Sequence, residues 1–360
     1  MGEEKAKAMN TVQPPAKRGT TAMPENRYER IHIEADDETA DDGTPPTVFY
    51  RDATRTALAR NDSPDIGFQF SLNPYRGCEH GCIYCYARPS HEFLSFSAGL
   101  DFERRILVKQ DAPQRLREAF LSPRWEPQVV SLSGNTDCYQ PAERRLQLTR
   151  RCLEVFCEFR NPVGIVTKSA LVTRDIDLLA QLAEVKAAMV MVSITSLDTQ
   201  LARRMEPRAA QPARRLEAIS RLAAAGIPVG VLTAPIIPGL NDEEIPAILK
   251  AAAEAGARTG GWVLLRLPKP VDSLFDHWLQ ENYPNRRERI LHRIRECRDG
   301  HISDSQFGRR MRGEGVYAEQ IASLFRTSAR RFGLDRSEPP LNAAAFRRPA
   351  QPGQQLSLLG

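Results

Sequence analysis

Short apolar runs alternate with longer segments of helical periodicity along most of the chain, and this alternation restricts the fold more than any other feature. Gly226 and Gly256 follow two of the helical segments, where a glycine favours the end of a helix. Repeated strand–helix units predict a parallel sheet, because parallel strands need a crossover connection. The apolar runs are QVVSLS (128–133), PVGIVT (162–167), AMVMVSIT (188–195), IPVGVLT (227–233) and WVLLRL (262–267).

A further strand is expected near FQFSLNPY (68–75), which brings the number of strand–helix units to six. Six units suit a partial (β/α)6 barrel of the TIM-like α/β type, and an open doubly wound sheet is the alternative. In both architectures the active groups are expected where strands end and loops begin.

The folded body is expected to lie between two polar ends. Residues 1–46 mix proline, glycine and charge, and six acidic residues fall between Glu34 and Asp42, which predicts a disordered N-terminal arm. The other predicted divisions are the barrel at 47–270, a basic helical extension at 271–335 and a mobile, proline-rich tail at 336–360.

Composition and charge restrict where the protein can be located and which partners it can bind. No stretch approaches the roughly 18 apolar residues of a membrane span, and the polar start lacks a secretory signal, so a cytoplasmic protein is expected. The net charge is +5, and residues 286–336 hold thirteen arginines against seven acidic residues. These arginines form either a solvated helix surface or a patch that follows phosphates.

Three cysteines fall within eight residues of the loop expected after the first strand: Cys78, Cys82 and Cys85. Thiolates are the usual ligands of iron–sulfur clusters, and an electron-transferring 4Fe-4S cluster normally takes four of them. Three ligands leave one iron open to another molecule, and an open position signals chemistry. The alternative is a structural zinc site completed by His80 or a distant cysteine.

The C-x3-C-x2-C spacing, with Tyr84 before the last cysteine, resembles the signature of the radical S-adenosylmethionine (SAM) superfamily. The resemblance covers about residues 68–270 and implies a partial barrel, a 4Fe-4S cluster on the three cysteines and SAM on the fourth iron. It also implies reductive cleavage of SAM to a 5′-deoxyadenosyl radical, and it places Tyr84 beside the adenine.

Two segments, NPYRGCEHGCIYCYARPSH (73–91) and TDCYQPAE (136–143), are similar to the branch related to spore photoproduct lyase, which reverses a thymine dimer in DNA. This resemblance implies a lyase-like enzyme with nucleic acid as the leading substrate, served by an unidentified electron donor. The alternatives are a radical SAM enzyme acting on a small molecule or protein, and a non-catalytic iron–sulfur or zinc module.

Several residues near strand ends are expected to contact SAM on the strength of the resemblance. They are Ser133, Asn135 and Thr136 near the amino group, Lys168 and Ser193 near the carboxylate and ribose, and Pro238 in a loop near the adenine. A polar turn that caps a helix is the alternative for the loop of Ser133.

Four further cysteines lie outside the motif. Cys138 is the candidate hydrogen donor, because it follows the proposed SAM loop and spore photoproduct lyase uses a cysteine in this role. Inert packing is the alternative for Cys138 and the expectation for Cys152, Cys157 and Cys297.

The C-terminal peptide Gln355–Leu359 has the sequence QLSLL, which resembles the Q-L-S-L-F peptides that dock bacterial repair proteins on the DNA sliding clamp. A short tether with apolar anchors suits a groove on a folded partner. The sliding clamp is therefore a predicted partner, with a chance match as the alternative.

Overall fold

The computed structural model describes residues 10–11, 19, 22–23, 46–336 and 340–349. Its strands are, in chain order, β1 (Asn10–Thr11), β2 (Ala22–Met23), β3 (Val48–Arg51), β4 (Leu58–Arg60), β5 (Phe70–Leu72), β6 (Tyr75–Arg76), β7 (Arg105–Val108), β8 (Val130–Leu132), β9 (Val163–Thr167), β10 (Ala188–Ser193), β11 (Val229–Ile236) and β12 (Thr259–Leu264).

The α-helices are α1 (Leu100–Arg104), α2 (Ala112–Leu121), α3 (Glu143–Leu146), α4 (Leu148–Phe159), α5 (Ile176–Glu184), α6 (Thr199–Met205), α7 (Pro212–Ala224), α8 (Ile245–Glu254), α9 (Val271–Asn282), α10 (Arg287–Glu296) and α11 (Gly315–Arg331). In the described ranges, no helix has both the length and the apolar character that a membrane crossing requires.

The main sheet has the order β12-β11-β10-β9-β8-β5-β4. Its six strands from β5 to β12 are parallel and adjacent in chain order, and β4 pairs antiparallel with β5. In a doubly wound sheet, successive strands would be added first toward one edge of the sheet and then toward the other. The predicted partial barrel is therefore confirmed. Among the described residues no pairing joins β4 to β12, so the barrel is open on one side.

Helices cover the outer face of the sheet and bury the main core against it. This core includes the fully buried side chains of Val190 and Val231 on the strands and of Leu179 and Ile219 on the helices. The glycines expected to end helices do so, because Gly226 and Gly256 have φ of 75° and 102° directly after α7 and α8.

The extension predicted at 271–335 consists of α9, α10 and α11, which pack into the barrel at two places. Helices α9 and α10 form a second core with Ile83 and Tyr84 of the cysteine loop. Helix α11 covers β12, where the rings of Trp262 and Phe325 lie 6.0 Å apart. The extension therefore contacts both the last strand and the cysteine loop.

The prediction of a mobile tail from residue 336 is wrong for residues 340–349. Phe346 packs on the ring of Phe120, with centroids 6.1 Å apart. Arg348 donates to backbone carbonyl groups at the C-terminal end of α2 and in the loop that follows it. These are the carbonyl groups of Phe120, Ser122 and Trp125, at 2.9–3.2 Å. An aromatic anchor and a charged cap thus fix this segment.

Two predicted features fall outside this description. The clamp-like peptide Gln355–Leu359 and most of the predicted N-terminal arm lie outside the described residues. Within the arm, the Gly19 N–H donates to Glu103 Oε2 at 3.0 Å.

Candidate active site at the barrel mouth

The three cysteines of the motif share one loop near the carboxyl end of β5, the first parallel strand. We call this end of the barrel, where the parallel strands finish, the mouth. The loop turns at Gly77 and Gly81, whose φ values are 81° and 68°. A Cβ atom on Gly77 would come within 2.9 Å of the Phe102 carbonyl oxygen. Glycine is therefore needed at this turn.

The thiols of the loop are available as ligands. Cys78 is buried, Cys82 and Cys85 are half-buried, and none forms a disulfide. Burial raises the pKa of all three thiols, and the pKa of Cys78 is raised further by Asp137 and by the other two cysteines. A cationic group bound here would offset the cost of ionising them. This donor set fits a thiolate-ligated iron–sulfur cluster.

The zinc alternative finds less support in the geometry. In the part of the chain that the structure describes, no three His, Cys, Asp or Glu side chains are grouped to hold one metal ion. A cubane spreads its cysteines over separate irons, so its thiols need not converge on one point. The buried ring of His80 faces Asp137 instead, with Nδ1 and Oδ2 3.4 Å apart.

Two buried side chains from outside the motif hold the loop in shape. Arg88 donates to the Cys82 carbonyl at 3.0 and 3.1 Å and pairs with Glu103 at 2.6 Å. Gln140 donates to the Gly77 carbonyl at 3.1 Å and accepts a hydrogen bond at 2.9 Å from an N–H within the loop. The loop therefore has protein groups of its own that fix its backbone.

Tyr84 lies in a buried polar network behind the loop. Its hydroxyl donates to Glu206, which also accepts from Thr195 Oγ1 at 2.6 Å and pairs with Arg215. Burial alone would raise the pKa of Glu206, but Arg215 and Lys168 lower it to about 2. The carboxylate stays ionised and fixes Tyr84, whose ring centroid is 5.8 Å from the Lys168 ammonium.

The predicted SAM loop after β8 is held mainly by its own hydroxyl groups. Ser133, with a φ of 87°, donates through Oγ to the Thr136 carbonyl at 2.5 Å. Thr136 Oγ1 donates to a backbone carbonyl at 2.8 Å, and Asn73 Oδ1 accepts from the Asn135 N–H at 3.0 Å. Ser133 and Thr136 are buried and the Asn135 side chain is exposed. Only the Asn135 side chain is thus placed to meet a ligand.

Lys168 lies near this loop at the end of β9. Asp137 accepts from the Lys168 N–H at 2.8 Å and from the Thr167 hydroxyl at 2.8 Å, which joins the ends of β8 and β9. Between residues 46 and 336, the Lys168 ammonium makes no hydrogen bond or ion pair. An unpaired ammonium over Tyr84 is suited to bind an anionic group.

Ser193 and Pro238 are both buried and shape the ends of β10 and β11. Ser193 Oγ donates to the Ala234 carbonyl at 3.0 Å. Pro238 follows β11 in a turn that Asn241 stabilises by accepting from the Ile237 N–H at 2.6 Å. The two residues support the loops in this structure, and their predicted contacts with SAM stay predictions.

Cys138, the candidate hydrogen donor, lies shortly after the carboxyl end of β8. It is fully buried in the main core, its Sγ lies 3.9 Å from the Leu132 carbonyl oxygen, and burial raises the pKa of its thiol. Its burial favours the alternative of inert packing, which is also the expectation for the buried Cys152 and Cys297, and its role as hydrogen donor stays a prediction.

Sequence reasoning missed Arg88, Gln140, Glu206 and Arg215. Arg88 and Gln140 lie within the two segments that resemble the lyase branch, and a cation three residues after Cys85 was the available signal for Arg88. Glu206 and Arg215 lie far along the chain, and nothing in their local sequence indicates that they approach the loop.

Comparisons with known proteins show the family to which the chain belongs. A family profile described as the Radical SAM superfamily matches residues 72–252. The uncharacterised protein Rv2578c of Mycobacterium tuberculosis is 35% identical over 304 residues, covering 83% of this chain and 86% of that protein. The uncharacterised protein MJ0683 of Methanocaldococcus jannaschii is 27% identical over 224 residues, covering 62% of this chain and 80% of that protein.

The fold is also similar to that of a solved enzyme structure. Spore photoproduct lyase complexed with dinucleoside spore photoproduct superposes with a TM-score of 0.58 and 17% identity, and the match covers 79% of each chain. At this identity the likeness shows a shared fold.

Proposed function

Because the chain belongs to the radical SAM superfamily, we propose that it is an enzyme that carries a 4Fe-4S cluster on Cys78, Cys82 and Cys85 and cleaves SAM. The observation that carries this proposal is the group of three thiols on one glycine-bent loop at the barrel mouth. Ligand sites in barrels of this kind lie at that end.

Such a cluster, when bound and reduced, supplies the electron that cleaves SAM to methionine and a 5′-deoxyadenosyl radical, which takes hydrogen from the substrate. The chain's own task is to bind and orient SAM. Lys168 is proposed to bind the carboxylate, Asn135 and the backbone around it the amino group, and Tyr84 to lie beside the adenine. Glu206 supports this by keeping Tyr84 in one orientation.

The test is anaerobic reconstitution of the cluster, followed by reduction with SAM and measurement of 5′-deoxyadenosine. The wild type should release it and Cys82→Ala should not. Cys157→Ala is the matched control, because its half-buried thiol lies on α4 beside the Leu178 carbonyl, away from the loop, and it should match the wild type. A fully loaded wild type that releases nothing would favour a non-catalytic iron–sulfur module.

We further propose that the substrate is a nucleic acid. The fold shared with a lyase solved in complex with a dinucleoside photoproduct supports this, as does the surplus of arginine at 286–336. Many of these arginines pair with acidic residues, as Arg287 does with Asp276 at 2.7 Å and Arg293 with Glu296 at 2.8 Å. The unpaired ones therefore matter most.

Binding of an oligonucleotide that weakens steeply with salt is the expected result, because phosphate contacts release counterions. Absence of binding at low salt would favour a small molecule or a protein as the substrate. SAM cleavage in the same preparation shows whether the enzyme itself is intact.

A further inference from the structure

The segment that joins α10 to α11, residues 297–314, crosses the open side of the barrel, and we call it the strap. On one side the Leu264 N–H at the end of β12 donates to the Met311 carbonyl at 2.9 Å. On the other side the Gly308 N–H donates to Asp65 Oδ1 at 2.6 Å, and Arg310 pairs with the same carboxylate. The strap therefore connects β12 with the loop between β4 and β5.

Two arginine–aromatic pairs lie on and beside the strap. The guanidinium of Arg266 is 5.2 Å from the ring centroid of Tyr86, and that of Arg310 is 4.4 Å from the ring of Phe307. Both rings are unusually open for aromatic side chains, with 45% of Tyr86 and 56% of Phe307 exposed. Tyr86 directly follows Cys85, so the first pair borders the cysteine loop.

The positive charge here exceeds the negative charge that faces it. Asp65 is engaged by Arg310, and in the described chain no carboxylate lies within ion-pair distance of Arg266. Arg298 is 2% exposed, and among the described residues its Nε and Nη1 have no hydrogen-bond partner. Burial lowers the pKa of Arg266 most and the nearby charge of Arg310 lowers it further, while Tyr86 and Asp65 act in the opposite direction.

Unpaired arginine next to open aromatic faces is the combination that binds a nucleic-acid strand, because the cation meets a phosphate while the ring stacks on a base. We propose that Arg266 and the strap form a strand-binding surface beside the active site, with a backbone phosphate at Arg266 and a base stacked on Phe307. This inference rests on the proposed nucleic-acid function and gives it a location.

The test is binding of a fluorescent single-stranded oligothymidylate to the cluster-loaded protein, followed by anisotropy at several KCl concentrations. Arg266→Gln should reduce the slope of log affinity against log salt by about 0.7, the value for one phosphate contact on a single strand. Phe307→Ala should weaken binding roughly 5- to 150-fold and leave the slope unchanged, because stacking releases no counterions.

The matched control is Arg330→Gln, which removes the same charge from an 85% exposed side chain on α11. It should keep the wild-type slope. The proposal is overturned if Arg266→Gln keeps that slope, if Arg330→Gln loses as much, or if a polyglutamate peptide competes as well as unlabelled oligothymidylate. It is also overturned if the wild type binds no oligonucleotide.

Release of 5′-deoxyadenosine from SAM without any nucleic acid separates this inference from the proposed function. If the protein cleaves SAM but binds no strand, the proposed strand-binding surface is refuted and the radical SAM assignment stands. Unchanged cleavage in Arg266→Gln and Phe307→Ala, together with weaker binding, would support the surface.

Discussion

At the scale of single residues, the cysteine loop depends on the ion pair between Arg88 and Glu103. Both side chains are fully buried and 2.6 Å apart, and Arg88 also holds the Cys82 carbonyl. Removing one partner of a buried pair leaves an uncompensated charge, which typically costs about 3–5 kcal/mol. This loss would act on the loop that carries the cluster ligands.

Arg88→Gln should therefore lower the free energy of unfolding by about 3–5 kcal/mol and reduce the iron bound per chain. Urea denaturation and iron analysis would measure the two effects. Arg115→Gln removes an exposed partner of Glu118 and should change the free energy of unfolding far less, because water screens an exposed ion pair. Equal losses in the two variants would contradict the role given to Arg88.

Glu206 predicts a specific dependence of stability on pH. Its pKa in the folded protein is about 2, below the ordinary value near 4.3. As pH falls, the unfolded chain takes up this proton first, so stability is complete above about 4.5 and is lost toward pH 2. The loss attributable to this group is on the order of 3 kcal/mol.

Glu206→Gln should be less stable at neutral pH, because Arg215 loses its buried partner, but its stability should change less between pH 4.5 and 2. Chemical denaturation at several pH values would show this. Glu217→Gln, which removes an exposed partner of Arg214, should retain the wild-type pH dependence. A Glu206→Gln curve parallel to that of the wild type would refute the assignment.

The sequence predicts the cluster ligands but not the groups around them. One loop supplies all three ligands, Cys78, Cys82 and Cys85, so their spacing can be recognised in the local sequence. Glu206 and Arg215 meet Tyr84 only after α6 and α7 have packed, so no local pattern records them. Cys138 is a different case, because its place after a strand suggested access to the mouth, while the structure shows its thiol to be buried.

At the scale of elements, the five apolar runs and the segment near FQFSLNPY all correspond to parallel strands. The last strand begins earlier than its run predicts, at Thr259 rather than Trp262, because Gly260 and Gly261 pair with β11 although they are not apolar. The small sheet of β3, β7 and β6 was not predicted. Strands of two to four residues are too short to show periodicity.

Gly77→Ala tests whether the cysteine loop needs a glycine at its first turn. The added Cβ meets the Phe102 carbonyl oxygen at 2.9 Å in a backbone with φ of 81°, so the loop must shift. We expect a cost of about 1–3 kcal/mol and a lower iron content. Gly67→Ala is the control, because no atom of the described residues lies within 4 Å of its added Cβ. Normal iron loading in Gly77→Ala would show that the loop tolerates the shift.

At the scale of the whole molecule, residues 340–349 connect the C-terminal segment to the barrel. The proline-rich composition predicted mobility throughout, yet residues 340–349 are held by Phe346 and Arg348. The composition contains no signal for this docking, because the partners are carbonyl groups at the end of α2. The clamp-binding role of Gln355–Leu359 remains a proposal from the sequence.

Deletion of residues 354–360 tests that proposal. The shortened chain should lose affinity for the bacterial sliding clamp by at least tenfold, or about 1.4 kcal/mol, and should release 5′-deoxyadenosine at the wild-type rate. Surface plasmon resonance with immobilised clamp would measure the first effect. Unchanged affinity would dispose of the clamp as a partner of this peptide.

The position at which Arg348 binds the barrel determines where a partner bound to Gln355–Leu359 would lie relative to the active site. The carbonyl groups it binds precede β8, so they lie at the amino ends of the strands, opposite the cysteine loop. From Pro349 to Gln355 the chain can reach at most roughly 20 Å. A partner held by the peptide would therefore sit behind the barrel, and recruitment and catalysis would use opposite faces without competing for space.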